Sequence, residues 1–323
     1  MMRFCFPGLA LILFPAVALA QQDLPVETLH VATRVVEVSA VVTDKTGEPR
    51  TGLTKDGFIL KQDGKEQEIR YFSQGDELPL TFVVMIDTSG SQRTFLDDEQ
   101  RACDIFFQTV LGRPQDRAVL VEVNSKIEAH SDLTNDPNKL HLALYSLHFN
   151  LASATATRLN DAIYILSQSV LGKVHGRKAI ILISDGGDNG SGTKRNDAIA
   201  EAQRQNVPVY AVSYSAWNDV ADPIPRGNFG GYGSMNNSTH NGDAGLKNLE
   251  SWAEATGGHV YQVTRGSSLK QIFENIAAEL RSQYEIGYNL PADTKPKQFH
   301  KLELKPKDKS LRVQARTGFY TNP

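Results

Sequence analysis

The chain has 323 residues, of which 40% are hydrophobic and 22% are charged, and a formal net charge of −3. This composition is typical of a globular protein and excludes a largely disordered or collagen-like chain. The near balance of charge gives no indication of a nucleic-acid partner. Two cysteines, Cys5 and Cys103, are too few for a disulfide framework or a four-cysteine zinc site.

The first twenty residues have the pattern of an export signal. Arg3 precedes an apolar run from Phe4 to Val17, and Ala18-Leu19-Ala20 fits the small residues at which signal peptides are cleaved. The run is shorter than the roughly 20 residues that span a bilayer. We therefore expect a signal peptide at 1–20, no transmembrane segment in the mature chain, and a periplasmic or secreted protein.

Residues 21–77 form a predicted β segment. The stretches "VVEVSAVVTD" and "FILKQDGKEQEIRYF" favour strands, and Asp63-Gly64 between short β runs is a hairpin signal. A segment of this length is small for an independent core, so we expect it to pair with strands elsewhere in the chain.

Residues 78–281 alternate between short apolar runs and helical patterns. The runs are continuously apolar, which indicates parallel strands buried on both faces. They are Leu80–Asp87, Ala118–Asn124, Lys178–Asp185, Val207–Ser215 and, more weakly, His259–Val263. This alternation predicts a doubly wound α/β sheet that binds ligands at the carboxyl ends of its strands.

A helix is predicted after the first of these strands. Four apolar residues form one stripe at helical spacing, namely Cys103, Phe106, Phe107 and Val110. Cys103 is therefore expected in the core rather than as a nucleophile. The first turn carries Asp97, Asp98 and Glu99, which the helix dipole favours at that position.

Residues 282–323 return to strand patterns after an amphipathic helix at Ser268–Gln283. Because residues 21–77 lack partners of their own, we expect the two terminal β segments to form one small β-sandwich.

Oxygen-bearing side chains follow the ends of the predicted central strands. Asp87, Ser89 and Ser91 form a D-x-S-x-S motif, Thr157 lies on a polar loop, and Asp185 follows a later strand at the same edge. Such oxygens suit Mg²⁺ or Mn²⁺ and are poor ligands for zinc or copper. The first motif alone is weak evidence, because a strand-ending turn that caps a helix has the same residues. The D-x-S-x-S motif, the Thr157 loop and Asp185, in this order at strand ends and the start of a helix, are together stronger evidence for a metal site.

These motifs resemble a known family. The stretches "FVVMIDTSGS", "ATATRLNDAI" and "AIILISDGGDN" are similar to the three loops of a von Willebrand factor type A domain that carries a metal-ion-dependent adhesion site. Both terminal segments resemble those of secreted bacterial von Willebrand factor A-related proteins, which are common in acidobacteria. The resemblance covers nearly all of Val31 to Tyr320. It implies a mostly parallel, Rossmann-like sheet flanked by a small β-sandwich-like module from both termini.

The resemblance also implies roles for the site residues. Ser89, Ser91 and Thr157 would ligate Mg²⁺, or Mn²⁺ or Ca²⁺, through side-chain oxygens, and Asp87 and Asp185 would act mainly through water. An acidic side chain of a partner protein would complete the coordination. Thr155 is a rival for Thr157, because Thr155-Ala156 stand where the family usually has small residues.

The stretch from Trp217 to Gly245 is rich in glycine and asparagine and leaves the carboxyl end of a strand. One interpretation is a recognition loop at the metal site, with Trp217, Phe229 and Tyr232 as aromatic partner contacts. The other is a surface insertion with no role.

The expected function is that of an exported, metal-dependent protein-binding module without catalysis. A metal-assisted hydrolase is one alternative, although no histidine follows any of the three motifs and no G-x-S-x-G or H-E-x-x-H sequence is present. A structural module with a vestigial metal site is another. Asp161, in the first turn of a predicted helix, is interpreted as a structural acid.

Overall fold

The computed structural model describes residues 34–75, 78–92, 95–150, 152, 155–213, 238–264 and 268–321. The strands are β1 Val35–Thr43, β2 Phe58–Gln62, β3 Lys65–Gln67, β4 Tyr71–Gln74, β5 Leu80–Asp87, β6 Arg117–Val123, β7 Ile127–Ala129, β8 Arg177–Ile183, β9 Val209–Ser213, β10 Val260–Gln262, β11 Tyr284–Asn289, β12 Phe299–Pro306, β13 Arg312–Ala315 and β14 Gly318–Tyr320. The α-helices are α1 Leu96–Val110, α2 Pro137–Tyr145, α3 Leu159–Ser169, α4 Arg195–Arg204, α5 Ser238–Thr256 and α6 Leu269–Ser282. None of the described helices is long and apolar enough to cross a membrane.

A six-stranded sheet with the order β10-β9-β8-β5-β6-β7 forms the centre of the fold. Its strands are parallel except for β7, which pairs antiparallel with β6. Every residue of β5 and β8 is buried, as continuous hydrophobicity predicts for strands covered on both faces. One face packs against α1, α2 and α6, and the other against α3, α4 and α5. The predicted doubly wound sheet is confirmed.

Helix α1 covers one face of this sheet. Its predicted stripe of Cys103, Phe106, Phe107 and Val110 is buried in the core, and the ring centroid of Phe106 lies 4.9 Å from that of Phe273 on α6. The three acids predicted for its first turn, Asp97, Asp98 and Glu99, are confirmed there. The side chain of Glu99, the fourth residue of the helix, is fully buried.

The terminal β segments form two four-stranded antiparallel sheets with the orders β13-β1-β11-β4 and β14-β12-β2-β3. In the first, β1 lies between two C-terminal strands, and in the second, β2 pairs with β12. Apolar side chains of both sheets share one core, which includes Val38, Leu60, Tyr284 and Leu302. The predicted sandwich of N- and C-terminal strands is therefore present, and strands from the two termini alternate in the first of its sheets.

The predicted hairpin at Asp63-Gly64 joins β2 and β3. Both residues have positive φ, 50° and 81°, which is the backbone of a tight hairpin turn and explains the Asp-Gly sequence. The Asp63 carboxylate also accepts a hydrogen bond from the Lys301 amide on the neighbouring strand at 2.9 Å. The turn thereby fixes the register of β2 against β12.

Buried and partly buried polar side chains join the sandwich to the central sheet. Glu285 on β11 accepts a hydrogen bond from the Ser39 hydroxyl on β1 at 2.6 Å, and the Asn206 amide donates to that hydroxyl at 2.8 Å. Asn206 connects α4 to β9 and has a positive φ of 53°. Burial raises the pKa of Glu285 to about 7, although the hydrogen bond from Ser39 opposes this shift.

We expect replacement of Glu285 by glutamine to stabilise the protein above pH 7. Because folding raises the pKa of Glu285, stability is lost as the pH rises through 7, and the amide removes this loss. Between pH 5 and pH 8, the unfolding free energy of Glu285→Gln should fall by about 2 kcal/mol less than that of wild type. Urea denaturation at both pH values measures it, with the exposed Glu66→Gln as the control. An unchanged pH dependence in Glu285→Gln would contradict the prediction.

Candidate metal centre

Two carboxylates lie where neighbouring parallel strands end. Asp87 is the last residue of β5, and Asp185 comes two residues after the end of β8, which pairs with β5. Asp87 is fully buried, whereas Asp185 is partly exposed. The carboxyl edge of the sheet therefore carries one acid inside the protein and one near its surface.

Hydrogen bonds fix the carboxyl group of Asp87. Its Oδ2 accepts from the Ser184 hydroxyl at 2.5 Å and its Oδ1 from the Ser89 amide at 2.9 Å. Burial raises the pKa of Asp87 to about 6 against the effect of these bonds, and the nearby Asp185 charge adds to the rise. The centre thus concentrates negative charge that a cation would stabilise.

Two hydroxyl groups lie beside this acid. The oxygens of Ser89 and Ser91 are 3.2 Å apart, with Ser89 buried and Ser91 exposed. Two adjacent ligands of an octahedral Mg²⁺, each about 2.1 Å from the metal, lie about 3 Å from each other. The spacing and the all-oxygen donor set therefore fit a hard divalent cation.

Hydrogen bonds connect the Thr157 loop to the loop that follows Asp185. The Thr157 amide donates to Asn189 Oδ1 at 2.8 Å, and the Thr157 carbonyl accepts from the Gly190 amide at 2.9 Å. Thr157 is buried, whereas Thr155 is exposed. Of the two threonines, Thr157 is thus the one held against the Asp185 loop.

Two further acids hold these loops together. Asp188 Oδ2 accepts hydrogen bonds from the Asn160 amide and the Ser191 hydroxyl, both at 2.7 Å. Asp161 accepts from the Thr193 amide at 2.8 Å and from Arg158 Nε, also at 2.8 Å. Burial works against ionisation of Asp161, but these bonds lower its pKa to about 2. Asp161 therefore has the structural role expected of it.

Helix α5 reaches the same edge of the sheet. Gly186, with a φ of +82°, approaches the Gly245 carbonyl so closely that an added Cβ would lie 2.1 Å from its oxygen. Asn248 donates to the Gly186 carbonyl at 2.9 Å. Only glycine fits this contact between α5 and the Asp185 loop.

The predicted recognition loop is only partly described. Trp217, Phe229 and Tyr232 lie outside the described residues, so their proposed contacts stay a prediction. The prediction of a loop up to Gly245 was wrong at its end, because α5 begins at Ser238. The glycine and asparagine content there led to the error, since both residues are poor helix formers in isolation.

One acid near the centre was not identified as a site residue. Glu99 is fully buried, and neither of its carboxyl oxygens has a hydrogen-bond partner within the described part of the chain. Burial, and secondarily the charge of Asp87, raises the pKa of Glu99 well above its ordinary value. The missed signal was an acidic residue four positions before Cys103, the first residue of the apolar stripe, which puts Glu99 on the buried side of α1.

Comparison with known families identifies the domain that contains this centre. Residues 82–275 match the family model of the von Willebrand factor type A domain. The chain belongs to this family. The matched von Willebrand factor A domain contains the whole central sheet from the third residue of β5 onward, together with all five predicted metal ligands.

Solved structures with a similar fold include several bacterial proteins. A von Willebrand factor type A protein from Catenulispora acidiphila is 12% identical over 90% of this chain and 75% of its own, with a TM-score of 0.47. BatB from Bacteroides thetaiotaomicron is 19% identical over 63% of this chain and 100% of its own, with a TM-score of 0.46.

A structure of proximal thread matrix protein 1 from the mussel byssus has a zinc-occupied MIDAS (metal-ion-dependent adhesion site) motif. It is 14% identical over 64% of this chain and 49% of its own, with a TM-score of 0.43. No curated protein matches this chain in sequence. The von Willebrand factor A assignment therefore rests on the family match.

Proposed function

We propose that this protein is an exported, divalent-cation-dependent protein-binding module. Von Willebrand factor A domains are protein-interaction modules. The observation that carries the metal dependence is the pair of hydroxyls, Ser89 and Ser91, 3.2 Å apart beside the buried Asp87. Asp185 and Thr157 complete an all-oxygen set on loops that contact each other.

The charge of this set suggests how a partner would be recognised. Ser89, Ser91 and Thr157 offer neutral oxygens, and the two carboxylates would act mainly through water. A bound Mg²⁺, Mn²⁺ or Ca²⁺ therefore keeps part of its charge and supplies a Lewis-acidic position for an acidic side chain of the partner. Asp87, held by Ser184 and by the Ser89 amide, orients the hydroxyls.

Loss of the exposed hydroxyl tests this proposal. We expect Ser91→Ala to weaken Mg²⁺ and Mn²⁺ binding at least about tenfold in a calorimetric titration of residues 21–323, since a direct ligand is lost. Ser169→Ala, an exposed serine at the far end of α3, is the matched control. If wild type, Ser91→Ala and Ser169→Ala show the same heats, or none, the adhesion-site proposal is wrong.

We propose no catalytic step at this centre. Within the described residues, the hydrogen bonds of Asp87, Ser89, Ser91 and Asp185 involve no histidine, and a general base for hydrolysis would be expected there. Turnover of phosphate or ester substrates that disappears in Asp87→Ala would favour the metal-assisted hydrolase instead.

Export is proposed from the sequence of residues 1–20, which lie outside the described part of the chain. We expect the mature protein to begin at Gln21 and to be found in the periplasm or outside the cell. Mass spectrometry of its N-terminal peptide measures the cleavage site, and retention of an intact N-terminus on a cytoplasmic protein would contradict export.

A further inference from the structure

The hairpin of β6 and β7 brings two carboxylates and an imidazole together at one edge of the central sheet. Glu122 on β6 lies directly opposite Glu128 on β7, and His130 follows β7. One ligand atom of each residue lies within 4.8 Å of the others, and His130 Nε2 is 2.8 Å from Glu122 Oε2.

Glu122 occupies a position where the strand pattern predicts an apolar residue. Ala118 and Leu120 on the same face of β6 are fully buried against α1 and α2, and strand periodicity puts Glu122 next on that face. A carboxylate at this position replaces an apolar side chain and is partly removed from water, which is unfavourable unless a partner stabilises its charge.

Hydrogen bonds orient this carboxylate before any cation arrives. Glu122 Oε1 accepts from the Thr88 hydroxyl at 2.5 Å and from the Asn124 amide at 3.0 Å. These bonds leave Oε2 directed at His130. Metal ligands are commonly held in this way by outer partners that fix their orientation.

A cavity of about 430 Å³ adjoins the group, and Glu122, Glu128 and His148 line it together with Lys126. His148 thus adds a second imidazole to the same cavity. Lys126 is the one cation among the lining residues, and its charge opposes that of one carboxylate. The cavity gives a hydrated cation a route to the carboxylates of Glu122 and Glu128.

We propose that Glu122, Glu128 and His130 bind a second divalent cation, one of the Zn²⁺ class. One imidazole nitrogen and two carboxylate oxygens form a mixed donor set that Zn²⁺ accepts in fourfold coordination, whereas Mg²⁺ prefers oxygen alone. The cation takes the place of the hydrogen bond between His130 and Glu122, and two carboxylates balance its charge. The site does not depend on occupation of the Asp87 centre.

The Glu122 group and the Asp87 centre are close together, so the experiment must distinguish cation binding at one from binding at the other. Thr88, which bonds to Glu122, lies between Asp87 and Ser89. Zn²⁺ is therefore titrated calorimetrically into residues 21–323 in saturating Mg²⁺, so that a hard-cation site is already filled. The variants are His130→Ala, Glu128→Gln and Asp87→Ala, with circular dichroism to show that each is folded.

His141→Ala is the matched control. His141 Nδ1 lies 3.0 Å from Asp104 Oδ1, so it also pairs with a carboxylate, but it belongs to no three-ligand group within the described residues. We expect one Zn²⁺ per chain, affinity at least about tenfold weaker in His130→Ala and Glu128→Gln, and wild-type affinity in His141→Ala and Asp87→Ala. Co²⁺ in place of Zn²⁺ should give visible absorption bands that His130→Ala loses.

Three results would overturn the proposal. If His130→Ala binds Zn²⁺ like His141→Ala, or if wild type binds none, the group is an ordinary ion pair. If Zn²⁺ binding is lost in Asp87→Ala alone, the ion occupies the other centre, and that result leaves the proposed function intact. A wild-type protein that binds Zn²⁺ but no Mg²⁺ would instead contradict the proposed function and support this inference.

Discussion

Asp87→Asn is expected to stabilise the metal-free protein at pH 8 and to abolish its stabilisation by Mg²⁺. Folding raises the pKa of Asp87 from 3.8 to about 6, so the folded state loses stability as the pH rises through 6. Two pKa units correspond to about 3 kcal/mol. Asparagine removes this loss but disturbs the hydrogen bond from Ser184, so we expect a net gain of about 2 kcal/mol.

The measurement compares urea denaturation in EDTA and in excess Mg²⁺ at pH 5 and pH 8. In wild type, metal binding to the folded state should raise the unfolding free energy, and in Asp87→Asn the EDTA and Mg²⁺ curves should coincide. Asp136→Asn is the control, because asparagine caps helix α2 as well as aspartate does. An Asp87→Asn protein less stable than wild type in EDTA at pH 8 would show that burial of the charge does not oppose folding.

Trp252→Ala is expected to cost about 3–5 kcal/mol of unfolding free energy. Trp252 on α5 is fully buried between the sheet and helices α3 and α4, and its Nε1 donates to Asn160 Oδ1 at 3.0 Å. The alanine variant leaves a large cavity and a buried amide oxygen without its donor. Since the Asn160 amide also binds Asp188, the loops around Thr157 should loosen as well.

Urea denaturation followed by circular dichroism measures this loss. Trp252→Phe should recover part of the stability, because it restores most of the ring volume without the indole donor. Leu142→Ala, whose side chain is 71% exposed, should change stability by no more than about 0.5 kcal/mol. Equal losses in Trp252→Ala and Leu142→Ala would rule out the packing argument.

The central sheet could be predicted from sequence because its strands are unusually apolar. The strand Leu80–Asp87 was predicted with the observed ends. The strand observed at Arg177–Ile183 was predicted at Lys178–Asp185, which is one residue late at its start and two residues late at its end. The sandwich could be inferred only from the missing partners of residues 21–77. Its register depends on long-range contacts, such as Ser39 with Glu285, which no local pattern encodes.

The candidate site was predictable where residues follow strands directly. Asp87, Ser89 and Asp185 follow from the rule that parallel strands end at a common edge. Ser184 and Asp188 were not singled out, and Glu99 was noted only as a first-turn acid, because their roles at the site depend on how loops and α1 meet after folding. Glu122 could have been found as the one charged residue within the apolar run of β6.

The pairing of N-terminal with C-terminal strands in both sheets of the sandwich has a consequence for synthesis. Ser39 on β1 cannot form its hydrogen bond until Glu285, 246 residues later in the chain, has been synthesised. In the same way, β2 cannot pair until β12 has been synthesised. By then every strand of the central sheet has already left the ribosome. Contacts of such long sequence separation slow folding, so the sandwich forms after the central sheet. Its first strands can pair wrongly until β11 and β12 have been synthesised.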